Sequence, residues 1–133
     1  SALDPVVEQV GVCRDFAHLM IALCRALNIP ARFVSSIDYG AAPELGLPDF
    51  HACVEVFLHD RWYLFDPTGI TAPMGLVRIG TGRDAADAAV ASIFGSVTCT
   101  KVEVSCELGK GQTFQPIDRK QLSRGGVALG PPG

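Results

Sequence analysis

The sequence predicts an α+β domain in which one long helix packs on an antiparallel sheet. An apolar segment with helical periodicity near the N-terminus is followed by several strand-like segments, and helix and strand do not alternate along the chain. Two neighbouring strand-like segments are separated by only two residues, which is the spacing of an antiparallel hairpin. A helix followed by consecutive strands is typical of an α+β fold rather than of a parallel α/β sheet.

Residues 13–27 are predicted to form the helix. Its apolar stripe recurs at helical spacing at Phe16, Met20, Leu23 and Leu27. Leu19 and Ile21 widen this stripe. The end is predicted at Asn28, which can adopt the left-handed conformation that terminates helices, and Pro30 cannot continue the helix. Because Gly11 precedes the stripe closely, Cys13 is expected in the first helical turn.

Strands are predicted after the helix at 31–39, 51–58, 61–66, 75–80 and 97–107, with a Gly- and Pro-rich loop at 40–49. The alanine-rich segment 84–94 is compatible with either helix or coil. From residue 109 the chain is polar and rich in glycine, with nothing evident to pack against. We therefore expect a core at 1–108 and a C-terminal tail at 109–133.

The 133 residues fit one domain with a substantial core. The formal net charge is −3 and there is no basic run, which argues against nucleic acid as a partner. No apolar stretch reaches the roughly 18 residues that span a bilayer, so no membrane partner is expected. Five cysteines without a CxxC pair argue against a disulfide framework or a zinc site, and free thiols favour the cytoplasm. We expect no metal and no organic cofactor.

Cys13 is the candidate nucleophile. A thiol attacks a carbonyl as its thiolate, and a helix start stabilises that anion through its free N–H groups and its dipole. The same N–H groups can receive an oxyanion. The alternative interpretation is a small buried hydrophobic residue, which is the commoner role of a free cysteine.

His51 begins one predicted strand and Asp66 ends the next. If residues 59 and 60 form the hairpin loop, Asp66 lies opposite Cys53 and diagonal to His51. If residues 58 and 59 form it, Asp66 lies directly opposite His51. Either register puts the carboxylate on the histidine's face, within the roughly 4.5–8 Å that separates such neighbours. A base and its orienting carboxylate need this proximity, although a hydrogen-bonded strand-end histidine and a turn aspartate would look the same.

These residues lie in two runs, GVCRDFAHLMIALCRALNIPARFVSSI and DFHACVEVFLHDRWYLFDPTGI, which resemble the nucleophile helix and the histidine–aspartate hairpin of bacterial transglutaminase-like proteins. The run GLVRIGTGRDAADAA resembles the segment that commonly follows. The resemblance covers about residues 9–107 and implies a papain-like fold, in which Cys13, His51 and Asp66 are nucleophile, base and orienter.

Two features depart from the family pattern. Family members usually carry tryptophan where this chain has Cys53, so the space beside His51 is expected to be more open or refilled by another side chain such as Trp62. Family members also have further structure upstream of the nucleophile, so the chain resembles an excised core.

The resemblance implies cleavage of peptide or protein amide bonds through a Cys13 thioester. Hydrolysis is favoured over transamidation because water is always present. A non-catalytic module that uses the same core to bind peptides is the alternative. The sequence does not indicate the substrate's identity or the oligomeric state.

Overall fold

The computed structural model describes residues 4–39, 49–69, 75–89, 91–107, 109–111 and 126–129. One helix is followed by five strands: α1 Asp4–Ala26, β1 Ala31–Asp38, β2 Phe50–Leu58, β3 Arg61–Phe65, β4 Leu76–Gly82 and β5 Val127–Ala128. The strands form one sheet in the order β4-β1-β2-β3-β5, with every neighbouring pair antiparallel. The predicted α+β architecture is confirmed. No helix in the described part of the chain combines the length and the apolar character needed to cross a membrane.

The helix begins nine residues earlier than the sequence analysis predicted. α1 starts at Asp4, so Cys13 lies in its third turn and not in its first. The Asp4–Pro5 pair is a helix-start signal, because proline fits the first turn, where its missing N–H would have no helical partner. Gly11 lies inside the helix, where glycine costs only about 1 kcal/mol relative to alanine.

The buried face of α1 matches the predicted one only in part: Met20 and Ile21 were predicted to face the core and do so. Its buried residues are small or medium in size: Cys13, Ala17 and Ile21, with Met20 and Cys24 partly buried beside them. Four of the six predicted stripe residues are exposed: Phe16, Leu19, Leu23 and Leu27. Small side chains let the helix approach the sheet closely, whereas sequence periodicity favoured the larger apolar residues that lie beside this face.

The last helical residue of α1 is Ala26, and Asn28 terminates the helix as predicted. The N–H of Ile29 donates to the carbonyl of Cys24 at 2.9 Å, and the N–H of Asn28 donates to the carbonyl of Arg25 at 3.0 Å. This pair of bonds is a Schellman motif. Asn28 has a φ of 58°, the left-handed conformation that the motif requires.

The β2–β3 hairpin has the first of the two predicted registers. Leu58 pairs with Arg61, which leaves residues 59 and 60 as the loop. Continued by one position beyond the paired residues, this register sets Asp66 across from Cys53. The position of Asp66 relative to the rest of β2 therefore follows from the hairpin.

A charged cluster lies on the sheet face that does not contact α1. Glu55 of β2 is fully buried, and its carboxylate pairs with Arg32 of β1 and with Arg78 of β4, the latter at 2.6 Å between Nη1 and Oε1. The Arg32 guanidinium lies 4.0 Å from the ring centroid of Trp62 in β3. An unpaired carboxylate at this depth would cost several kcal/mol. Its two ion pairs therefore couple β2 to both β1 and β4.

The prediction of a strand at 97–107 is wrong. These residues have no strand structure and most of them are exposed. Alternating apolar residues form a strand only where a neighbour pairs with them and one face is buried, and none of the described strands pairs with this segment. The ambiguous segment 84–94 contains turns at 85–88 and irregular chain at 91–94. The predicted loop at 40–49 lies, except for Asp49, outside the described residues.

The expectation that the C-terminal region has nothing to pack against is wrong for residues 126–129. β5 pairs with β3, and Ala128 is buried. The backbone of Gly126 lies against the ring of Phe65, where a Cβ would come within 2.4 Å of the ring. The predicted boundary between core and tail stays a prediction.

Asn28→Gly is expected to raise the free energy of unfolding slightly, whereas Asn28→Ala is expected to lower it by about 1 kcal/mol, because only glycine adopts the left-handed conformation without steric cost. Denaturant titration of the parent and the two variants measures both changes. Two changes of the same sign and size would contradict this helix end.

Candidate active site

Cys13 is located by the packing of α1 on the sheet. Its residue is only 3% exposed and belongs to the cluster between the helix and the sheet, together with Ala17 of α1 and Ala52 of β2. The adjacent residue Arg14 is exposed, so Cys13 lies at the border between the core and the helix surface. A small residue at 52 leaves space for the sulfur beside the beginning of β2.

His51 and Asp66 are brought together by the hairpin. The His51 Nε2 atom lies 3.0 Å from Oδ1 of Asp66, and the two side chains are 10% and 2% exposed. The distance is that of a hydrogen bond, but the N–H direction is not well aligned with the oxygen. Such bonds often tighten only when a substrate is bound. The predicted proximity of His51 and Asp66 is therefore present in the folded chain.

The Asp66 carboxylate is held by the turn that follows it. Oδ1 accepts a hydrogen bond from the backbone N–H of Thr68 at 3.1 Å and another from the Thr68 hydroxyl at 2.6 Å. This is an Asx turn, which the Asp-Pro sequence favours. The carboxylate is thus oriented by its own backbone before it meets the imidazole.

The His51 imidazole also makes a hydrogen bond with the Cys13 side chain. Burial by itself lowers the pKa of the imidazole, because the charged form loses hydration. The hydrogen bonds and negative charges of Asp66 and Cys13 outweigh burial and raise the pKa of His51 from 6.5 to about 9. A pKa of about 9 favours the protonated imidazolium at neutral pH, beside Asp66 and Cys13.

The His51 ring interacts with both other residues of the site. Nε2 is the atom beside the Asp66 carboxylate, and the same ring also interacts with the Cys13 side chain. This arrangement lets the ring exchange a proton with sulfur while its far side stays fixed. All three residues selected from the sequence are therefore linked in one chain of contacts.

The site beside His51 is not refilled by Trp62. Trp62 packs edge-on against Phe57 and under Arg32, further along the hairpin. Cys53 is instead fully buried among aliphatic side chains: Val34, Leu64, Leu76 and Leu129. Its sulfur lies 3.5 Å from the hydroxyl of Ser36. The small residue at 53 thus leaves a closed, packed face rather than an open one.

His18 contacts residues outside the site. Its Nε2 accepts a hydrogen bond from the backbone N–H of Ala85 at 3.1 Å, and its ring packs on Phe33. This agrees with the helical spacing, which places His18 about 140° around the helix from Cys13. In the described part of the chain, no three His, Cys, Asp or Glu residues are grouped as metal ligands.

A papain-like arrangement of one helix on an antiparallel sheet, with cysteine, histidine and aspartate in contact, is characteristic of transglutaminase-like cysteine enzymes. The sequence profile of the transglutaminase-like superfamily matches residues 1–67, just over half of the chain. The chain belongs to this superfamily. The family and the fold expected from the sequence are confirmed.

Two known proteins are similar to this chain over most of its length. The crystal structure of a candidate cysteine protease from Cytophaga hutchinsonii has a TM-score of 0.69 and 48% identity, covering 87% of this chain and 38% of that one. An uncharacterized protein from Mycobacterium leprae (strain TN) is 29% identical over 114 residues, 81% of this chain and 40% of its own length. The chain therefore spans about two fifths of the length of each relative.

The sequence analysis missed Ser36 as a contact of the site. The Ser36 hydroxyl bonds to the carbonyl of His51 at 2.9 Å and approaches Cys53. The signal was the register of β1 on β2, which sets Ser36 opposite His51. That register could not be read from the sequence, because the connection between the two strands is long.

The raised pKa of His51 predicts a pH-dependent contribution to stability. A group that binds its proton more tightly when folded stabilises the fold fully below its unfolded pKa of 6.5, and this contribution is lost as the pH rises to about 9. We expect the parent to lose on the order of 1–3 kcal/mol of unfolding free energy across this window. The measurement is chemical denaturation at several pH values.

His51→Gln is the control, because it removes the titrating group and keeps a polar side chain. The variant should lack the His51 contribution, so the difference in unfolding free energy between parent and variant should shrink from pH 6.5 to 9. A difference that stays constant would show that His51 has no raised pKa.

Proposed function

We propose that the protein is a cysteine-dependent enzyme that hydrolyses amide bonds in peptides or proteins. Cys13 is the nucleophile, His51 the general acid and base, and Asp66 the group that orients His51. The observation that carries this proposal is that the His51 imidazole contacts both the Cys13 side chain and the Asp66 carboxylate. Membership of the transglutaminase-like superfamily and the likeness to a candidate cysteine protease support it.

The source of activation differs from the one the sequence suggested. The free N–H groups of the helix start belong to residues six to nine positions before Cys13, beyond the first turn in which they stabilise a thiolate. The His51 imidazolium supports the anion instead, as a cationic neighbour does for reactive cysteines generally. Asp66 strengthens this support, because it holds the proton on the ring.

The reaction proceeds in two stages. The Cys13 thiolate attacks the amide carbonyl carbon, a C–S bond forms, and the carbonyl electron pair moves to oxygen. As the C–N bond breaks, His51 gives its proton to the departing amine and a thioester remains. Water then adds to the thioester while neutral His51 accepts its proton, and cleavage of the C–S bond releases the acid and regenerates the thiolate.

The second stage decides between hydrolysis and acyl transfer. An amine in place of water would give transamidation with the same three residues. Water is the default acceptor because it reaches any site that opens to solvent, so hydrolysis is the reaction we propose. The partner is then a peptide or protein substrate. None of the described cysteines forms a disulfide, which suits the reducing cytoplasm as the working compartment.

The competing function is a non-catalytic module that binds peptides on the same core. The burial of Cys13 favours this alternative, since a buried cysteine is commonly a packing residue. The two functions differ in the reactivity of the thiol. Cys99, which is exposed, provides the internal reference for an ordinary thiol.

At pH 6, iodoacetamide is expected to alkylate Cys13 faster than Cys99, although Cys13 is the less exposed residue. The reason is that an imidazolium-paired thiolate reacts where a free thiol is protonated. Mass spectrometry of peptides after short exposures gives both rates. Faster modification of Cys99 would favour the packing role.

Asp66→Asn is the matched variant for this measurement. Asparagine keeps an oxygen for the Thr68 hydrogen bonds but loses the charge that supports the imidazolium. The preference for Cys13 should therefore fall in this variant while Cys99 reacts as before. An unchanged preference would remove Asp66 from the proposed mechanism.

Cys13→Ala is expected to abolish turnover of peptide amides or activated esters that the parent hydrolyses. Its stability should change by no more than about 1 kcal/mol, because only one sulfur atom is lost and alanine favours the helix. Cys24→Ala is the control, since Cys24 is partly buried in the same helix but lies three turns away. Activity should survive in the control and vanish in Cys13→Ala at a similar melting temperature.

A further inference from the structure

The buried hydroxyl of Ser36 connects two residues of the site. Ser36 lies in β1, is 1% exposed and pairs with His51 across the β1–β2 register. Its Oγ lies 2.9 Å from the main-chain oxygen of His51 and 3.5 Å from the sulfur of Cys53. No step of the proposed reaction uses Ser36 or Cys53.

Chemistry fixes the direction of these hydrogen bonds. A carbonyl oxygen only accepts, so the Ser36 hydroxyl donates its proton to His51. The lone pairs of the hydroxyl are then available to the Cys53 thiol. Burial raises the pKa of the Cys53 thiol to about 12, more than the hydrogen bond with Ser36 lowers it. Cys53 therefore keeps its S–H proton and can act as the donor.

The sheet is irregular at the same position. The pairing of β1 with β4 shifts between Ser35 and Ser36: Ser35 faces Gly80 and Ser36 faces Arg78, which leaves Ile79 as an extra residue. Such a bulge interrupts the ladder and increases the local twist. The β1–β4 pairing is therefore irregular at Ser36. At the same residue, the side-chain hydrogen bond to His51 adds a link between β1 and β2.

We propose that Ser36 is a positioning residue for His51, which it holds through the main-chain carbonyl, and that Cys53 orients the Ser36 hydroxyl. Asp66 fixes the far side of the imidazole, while Ser36 fixes the backbone from which the ring projects. The two attachments together define the direction in which the ring faces Cys13. The inference rests on the proposed function for its catalytic meaning, but the positioning of His51 can be measured without substrate.

The experiment compares Ser36→Ala with Ser35→Ala. Both serines are buried in β1 and both changes remove one hydroxyl, but only Ser36 contacts His51. Proton NMR titration follows the imidazole of His51, which His51→Gln identifies among the three histidines. The same preparations are then alkylated with iodoacetamide at pH 6.

Ser36→Ala should lower the pKa of His51 from about 9 by roughly half a unit to one unit, because a loosened ring loses contact with Asp66. The alkylation rate of Cys13 should fall about fivefold, the factor expected for one neutral hydrogen bond. Ser35→Ala should change neither quantity. A purely structural hydroxyl would lower the melting temperature without moving the His51 titration.

Two variants of Cys53 provide a second test of the proposal. Cys53→Ser keeps a donor to Ser36 and Cys53→Ala does not, so the alanine variant should shift the His51 titration further. An unchanged His51 titration in Ser36→Ala would overturn the proposal. A shifted titration without any preferential alkylation of Cys13 in the parent would support the positioning role and contradict the proposed function.

Discussion

The register of the β2–β3 hairpin is the constraint on which the site depends. Side chains alternate along a strand, so a slip of one residue would turn Asp66 to the opposite face and away from His51. The two-residue loop at 59–60 prevents this slip, because Leu58 and Arg61 pair directly beside it. The Asx turn at Thr68 then fixes the carboxylate at the end of the strand. A local turn and a local cap therefore determine a contact between residues fifteen positions apart.

The rest of the sheet protects that register. Glu55 is buried two residues beyond Cys53 and satisfied by arginines from both β1 and β4. A slipped β2 would leave this carboxylate unpaired in the interior, which costs several kcal/mol. The charged cluster, on the face that does not contact α1, therefore disfavours other registers of β2. The other face of β2 is apolar and packs on the helix.

Packing also changes the physical account of Cys13. The thiol lies in the third turn of α1 and its electrostatic partner is the His51 imidazolium, not the helix start. The helix can bring the sulfur to β2 because its buried face carries small residues. The larger apolar residues of α1, which dominate the sequence periodicity, lie on the exposed side. Hydrophobicity alone therefore placed the buried face only partly correctly, since close approach of a helix to a sheet also depends on side-chain size.

The sequence by itself determined the features that depend on near neighbours. These are the helix end at Asn28, the tight hairpin and the strand alternation that places Asp66 near His51; the resemblance then supplied the family. Only the tertiary structure decided the features that depend on distant pairing: the buried face of α1, the contact of Ser36 with His51, and the docking of Ala128 on β3. It also decided against a strand at 97–107, because alternation forms a strand only where another strand accepts it. Helix ends and tight hairpins depend on adjacent residues and can be predicted from them. Pairing between distant strands depends on the whole fold.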